Sequence, residues 1–333
     1  MRRRGIVLAG TVILDVVNIV DHWPAEETVA FIQRTEHGAG GPPLNAAAGL
    51  MKLKAPFPVT LAGAAGDDAY GDILVAQAAG YGLDVAGIAR VAGGITSHTM
   101  VMSSAQNGRR TFFHHTGVNA ALSAASLLPA STDAKLFYLG SPGIARAMDE
   151  ANGWAALLKQ AQAQGLKTCL ELVPIAEDLL RALVPPCLPH CDYVVFNDYE
   201  AQAVTGLDTT RGGRLEVTSA LAACRALLGM GVSTLAAIHH PDGAVAVNAS
   251  GETAVRGSVR VPQSEIVGSV GAGDAFYAGM LFGIHEDWPL ALCLDLGNAA
   301  AATSLHAATT SASIRPYKDC LSYAGALGLN TLE

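Results

Sequence analysis

The tetrapeptide Gly271-Ala272-Gly273-Asp274 sets one carboxylate behind three of the smallest residues, and an apolar run follows it. Glycines let a backbone turn bring its N–H groups close to a ligand. A helix starting there leaves its first N–H groups unpaired and adds the positive end of its dipole, which makes a cradle for an anion. In phosphoryl transfer that cradle would hold the charge developing on the moving group. A carboxylate beside it can align an attacking hydroxyl and accept its proton. The same residues also read as an N-cap aspartate after a Gly-rich turn, with no chemistry attached.

Three further stretches could bind ligands. In "GAGGPPLNAAAGL", residues 38–50, Pro42-Pro43 can open a helix, Gly40 and Gly41 allow close backbone approach, and Asn45 offers both a donor and an acceptor to sugar hydroxyls. The other reading is a plain strand–turn–helix corner. Asp15 lies just past the first apolar run, where a carboxylate could accept from two vicinal hydroxyls; residues 12–17 around it are largely apolar, an uncomfortable setting for an acid that is only solvated. Asn197-x-x-Glu200 is by itself a capping box. Its functional reading puts Glu200 near a Mg²⁺–water shell around phosphates, and both can hold together.

His114-His115 and His239-His240 resemble metal pairs, but adjacent residues on a strand point to opposite faces, so neither pair readily chelates one ion. Cys187-x-x-His190-Cys191 could begin a metal site, but no second cluster completes it. The six cysteines have no framework spacing and read as reduced, intracellular thiols. The P-loop, G-x-G-x-x-G, G-x-S-x-G and H-E-x-x-H patterns are absent.

The elements that must position these residues alternate. Branched apolar runs at 5–14, 58–62, 135–139, 168–172, 193–196, 234–238 and 244–247 read as strands. Ala- and Leu-rich segments at 44–53, 69–81, 148–163, 199–204, 219–228, 275–283 and 290–308 read as helices. This β-then-α order implies a three-layer α/β sandwich, with a mostly parallel sheet between helices. Residues 28–38 and 96–115 break the rhythm. The second carries Asn107-Gly108 between β-prone arms, a type I′ hairpin signal. Together they suggest a small β-sheet lid over the C-terminal edge of the parallel sheet, where such folds bind ligands. The expected organisation is a single domain over 1–333, with the lid formed near 12–38 and 94–117.

Of 333 residues, half are hydrophobic and 15% charged, which suits a large core. The net charge of −8 and the lack of a basic stripe speak against nucleic acid or an anionic membrane as partner. Arg2-Arg3-Arg4 before an apolar stretch faintly resembles a signal peptide, but Asp15 interrupts the run and no cleavage site follows. No apolar stretch reaches the length of a membrane span, and the expected compartment is the cytoplasm.

Taken in order, these stretches resemble the ribokinase-like (PfkB type) carbohydrate kinase family across nearly the whole chain. The early aspartate matches Asp15. The Gly-Gly…Asn sugar motif matches Gly40, Gly41 and Asn45; "LAGAAGDDAYGD" (61–72) and "GLDVAGI" (82–88) look like the segment after it. The lid hairpin matches 96–115, "NDYEAQAVTG" (197–206) the Asn-x-x-Glu motif, "GAGDAF" (271–276) the C-terminal signature, and Asn298 with its alanines the helix beside the adenine.

The resemblance implies ATP, Mg²⁺ and transfer of the γ-phosphoryl group to a sugar or nucleoside hydroxyl. Asp274 would be the base and the 271–274 amides the anion hole. Asp15, Gly40, Gly41 and Asn45 would lie on the acceptor side, and Asn197, Glu200, His240, Gly243 and Asn298 on the nucleotide side. A lid strand edge could pair two subunits, as in some relatives.

Three departures fall on the phosphate and nucleotide side. Gly268-Ser269 replaces the usual Asp-Thr that helps bind a monovalent cation, so that site is expected to be degraded. Ile238 and His240 replace the Thr-x-Gly beside the nucleotide, where His240 could stack on it or obstruct it. Glu171-Leu172-Val173 replaces Asp-x-Asn. Two alternatives therefore stay open: a nucleoside kinase, for which Phe112, Phe113, His114 and His115 could stack a base or could equally be lid packing, and a weak or inactive sugar-binding protein on the same fold.

Overall fold

The structure, a computed structural model, describes residues 3–106, 109–307 and 311–332. Its centre is a nine-stranded sheet. From one edge the order is Thr253–Gly257, Gly243–Asn248, Leu235–His240, Tyr193–Asn197, Lys167–Glu171, Leu136–Gly140, Ile6–Gly10, Val59–Gly66 and Ile88–Val91. The run from Leu235–His240 to Ile88–Val91 is parallel, and the other two strands add antiparallel.

The strands are apolar on both faces because both faces are covered. Alternation divides them: Ile6, Leu8, Leu136 and Tyr138 join one buried cluster, Val7, Ala9, Phe137 and Leu139 the other. Helices Pro42–Lys52, Ala69–Gly80, Ala272–His285, Leu290–Ser304 and Tyr317–Leu327 supply the first cluster. Helices Gly153–Ala163, Glu177–Leu183, Asp198–Thr205 and Val217–Gly229 supply the second.

A four-stranded sheet stands apart, in the order Ile32–Gly40, Ile13–Val20, His98–Ser104, Arg110–His115. The two inner strands run parallel and the outer ones antiparallel to them. These are the lid strands expected from 28–38 and 96–115; Asn107 and Gly108 lie outside the described residues.

Some boundaries differ from the sequence reading. The run at 5–14 is two strands in two sheets, parted at Thr11-Val12, so Asp15 sits on a lid strand rather than in a loop after the first strand. The helix read at 148–163 is two, Arg146–Glu150 and Gly153–Ala163, because Asn152 takes a left-handed conformation with φ 50°. The branched residues at 265–270, just before the glycine turn, form no strand: their backbone is pinned to the end of helix Leu290–Ser304 by Val267 N–H and Gly268 N–H, which both donate to Leu305 O. Among the described residues no helix is long and apolar enough to cross a membrane.

Candidate active site

Helix Ala272–His285 begins at Gly271, whose φ of 77° a side chain rarely adopts. No side chain caps this end. The amide of Ala272 donates weakly back to Ser269 O, at 3.3 Å, while those of Gly273 and Asp274 stay open in the first turn. Of the four amides expected to form an anion cradle, that of Ala272 alone is engaged by the backbone among the described residues. Gly273 matters for space too: a Cβ there would lie 3.3 Å from Cε1 of His239.

Asp274 is not an N-cap. It is the third residue of the helix, within the first turn, and its Oδ2 accepts from Asn45 Nδ2 at 3.1 Å. Asn45 lies on helix Pro42–Lys52, which packs along the Asp274 helix. One turn further on, a Cβ on Gly49 would stand 2.7 Å from Cβ of Ala278. Asn45 and Gly49 therefore face Asp274 and Ala278 as two matched pairs, each one helical turn apart.

Burial pushes the Asp274 carboxyl up to about 7; the Asn45 bond opposes the shift and the charge of Asp15 adds to it. Asp15 is raised to about 6, again by burial, against a stabilising hydrogen bond from Thr99. The double glycine makes room for this acid: a Cβ on Gly40 would stand 2.7 Å from Asp15 Oδ2. Gly41, at φ 91°, leaves no space either, since a Cβ would meet Thr11 O at 2.3 Å. These motif glycines shape the corner around Asp15 whether or not a ligand touches them.

On the other side, Asn197 and Glu200 form the reciprocal capping box: Glu200 N–H donates to Asn197 Oδ1 (2.8 Å) and Asn197 N–H to Glu200 Oε2 (3.0 Å). Glu200 is buried and raised to about 7, chiefly by desolvation, with Asp198 and Asp274 adding repulsion. Sequence reasoning noticed Glu171 only as a departure. It ends the neighbouring strand, is buried, and its Oε2 has no hydrogen-bond partner among the described residues. Burial raises its carboxyl well above the usual range, and Asp274 and Glu200 raise it further. Its signal in the sequence was a lone acid at the C-terminal end of an apolar run. Mutual repulsion and an orphaned oxygen are what a divalent cation would relieve, so the donor set fits Mg²⁺. The open amides at Gly273 and Asp274 fit a phosphate.

His240, expected beside the nucleotide, is drawn aside: its Nδ1 accepts from Asp242 N–H at 3.1 Å. Ile238 is fully buried in the sheet. His239 is the residue that faces the signature, packed on Phe276 with ring centroids 5.0 Å apart and its proton affinity lowered to about 4 by burial, with His240 contributing. Gly243 opens the strand beside His240, and Asn298 is buried, donating from Nδ2 to Gly257 O at 3.1 Å. The thiols of Cys187 and Cys191 are buried and donate to the backbone carbonyls of Leu183 and Cys187.

A doubly covered, mostly parallel sheet with a four-stranded lid and an acid at a glycine-opened helix end defines a ribokinase-like α/β protein. The sequence model of the pfkB family carbohydrate kinases matches residues 3–316, and the chain belongs to that family. Ribokinase from Arabidopsis thaliana, solved with ribose and ATP, superposes with a TM-score of 0.79 at 20% identity, covering 97% of this chain and 99% of that one. A nucleoside kinase from Burkholderia thailandensis, in complex with inosine, superposes at 0.73 and 16% identity over 97% and 98% of the two chains. A 5-dehydro-2-deoxygluconokinase of Geobacillus kaustophilus is 38% identical over 63 residues, which span 19% of this chain and only 18% of that relative.

Proposed function

We propose that this chain transfers the γ-phosphoryl group of ATP to a hydroxyl of a sugar or sugar-like acceptor, as a single kinase domain. The observation that carries this reading is the Asp274–Asn45 pair at the open end of helix Ala272–His285, with the carboxyl poised near neutrality. A general base works best when its pKa is close to the working pH. The acceptor hydroxyl, oriented by Asp15 and the Gly40-Gly41 corner, gives its proton to Asp274 as its oxygen bonds the γ-phosphorus and the β–γ bridge breaks. The amides of Gly273 and Asp274 take the negative charge that develops. ATP supplies the phosphoryl group, and Mg²⁺ would be held on the side of Glu200 and Glu171. Asn197, Gly243 and Asn298 shape the nucleotide side, and His240, turned toward Asp242, leaves room there.

The test is ADP release with Mg-ATP against pentoses, hexoses, keto-deoxy sugar acids and nucleosides. Asp274→Asn should bind acceptor nearly as wild type and lower turnover by roughly 10²–10⁴-fold, the scale of a lost general base. Wild-type turnover in the mutant sinks the assigned role. No turnover with any acceptor, alongside thermal stabilisation by a sugar but none by ATP, would instead identify a sugar-binding protein on this fold.

A further inference from the structure

Two histidines end strand Leu235–His240, and alternation turns them to opposite faces of the sheet. His240 is satisfied on its face: its Nδ1 accepts from Asp242 N–H and lies 3.5 Å from Asp242 Oδ2. His239 stands abreast of Asn197 on the other face, which helix Ala272–His285 covers. It is half-buried, and its ring nitrogens have no hydrogen-bond partner among the described residues. Packing on Phe276 accounts for the body of the ring but not for its two polar atoms, which a leucine would lack.

The ring is aimed at the signature turn. A Cβ on Gly273 would lie 3.3 Å from Cε1 and 3.7 Å from Nε2 of His239. Turning the ring over exchanges those two atoms, so Nε2 lies on that edge in either orientation. Gly273 also carries one of the open amides. Its missing side chain leaves an opening with an imidazole edge on one side and the helix N-terminus on the other.

The charges around this opening call for a donor. Asp274 is raised by Asp15, and Glu171 by Asp274 and Glu200, and no Lys or Arg acts on either acid. A phosphoryl group brings more negative charge into the same field. Burial, then His240, lowers the proton affinity of His239 to about 4, so the ring is uncharged at neutral pH and holds one N–H. An ionised phosphate oxygen only accepts, so its approach selects the tautomer with the proton on Nε2.

We propose that His239 is a further catalytic residue: its Nε2–H donates to an oxygen of the transferring phosphoryl group, beside the amides of Gly273 and Asp274. This rests on the kinase reading given above. Nε2 keeps its hydrogen throughout, and the acceptor's proton still goes to Asp274. The ring shares in holding the charge that builds on the phosphoryl oxygens. An uncharged imidazole suits the task, because it polarises an oxygen without placing a cation in a buried setting.

The test pairs kinetics with a binding readout. Leucine fills the place against Phe276 without a donor, and glutamine keeps an N–H at similar reach. His239→Leu should lower kcat roughly 10²–10³-fold, the scale of one lost oxyanion donor, and leave the acceptor KM within about threefold. His239→Gln should recover about tenfold of that loss or more. In protein carrying isotope-labelled histidine nitrogens, the Nε2 resonance of His239 should shift when Mg²⁺ and the β,γ-imido analogue of ATP are added. That resonance is assigned by its loss in His239→Gln and read on the wild-type chain, so it stands even where a variant misfolds. Wild-type kcat in His239→Leu overturns the proposal and leaves the kinase reading intact. Leu and Gln variants slowed equally also overturn it, because they report packing, as does an Nε2 resonance that stays in place. A wild-type chain that turns over no acceptor overturns the kinase reading and, with it, any catalytic role for His239; a shifted resonance would then mark a bound phosphate only.

Discussion

Asp274 was legible as a candidate base because its neighbours are so small, but its true partner was not. Asn45 read as a sugar-binding amide, and its Nδ2 also donates to Asp274 across 229 residues of sequence. Glu171, Thr99 and the facing of His239 were equally hidden, since each depends on neighbours far apart in the chain. The electrostatics lead to a rate prediction. The base must be ionised, and its pKa is raised to about 7. The profile of kcat/KM should therefore fall as pH drops through about 7 and level off above it. A profile flat down to pH 5 would remove Asp274 from the chemistry. Asp274→Asn should also raise Tm by a few degrees, because it relieves a buried charge held near Asp15 and Glu171.

At the scale of elements, the runs read from the sequence as strands and helices fall on strands and helices, though 5–14 and 148–163 each split in two, because alternation and apolar runs are local signals. Missed were short or terminal pieces such as Ile88–Val91, Glu177–Leu183 and Tyr317–Leu327, whose burial comes from distant neighbours. The split at Thr11-Val12 was also illegible: one apolar run feeds two sheets, and periodicity does not mark the change. The helix pair Pro42–Lys52 and Ala272–His285 depends on Gly49 for its close approach. Gly49→Ala places a methyl 2.7 Å from Ala278 Cβ, so the helices must part. We expect a loss of about 1–3 kcal/mol in urea unfolding, typical of overpacking. We also expect turnover to fall more than acceptor affinity, because the Asn45–Asp274 contact lengthens. An unchanged kcat would show that the contact does not align the base.

For the whole molecule, four acids with raised pKa values share the C-terminal edge of the sheet: Asp15, Glu171, Glu200 and Asp274. The folded state holds their protons more tightly than the unfolded chain does. Their stability contribution is therefore fullest at low pH and is lost as pH rises through about 6 to 7. His239 works the other way: lowered to about 4, it loses stability as pH falls below its ordinary value of 6.5. Tm should thus rise on acidification from pH 8 through about 6.5 and continue to rise, less steeply than the acids alone would give, below it. A steady fall over the first interval would contradict the buried acids. Potassium gives a separate check. With Gly268 in place of an acid, only the Ser269 hydroxyl kept, and Gly268 N–H bound to Leu305 O, titration with KCl should change turnover less than twofold. Strong activation would reveal a cation site built from other residues.

The bond between Asn45 and Asp274 also has a consequence for synthesis. A ribosome makes the Asp15 strand, the lid and the double-glycine corner first, and these can begin to fold while the rest is still unmade. The acid arrives only with helix Ala272–His285, after all nine strands of the main sheet have been made. A nascent or prematurely ended chain could therefore gather an acceptor but could not react with it, and competence would appear only when the last helices dock.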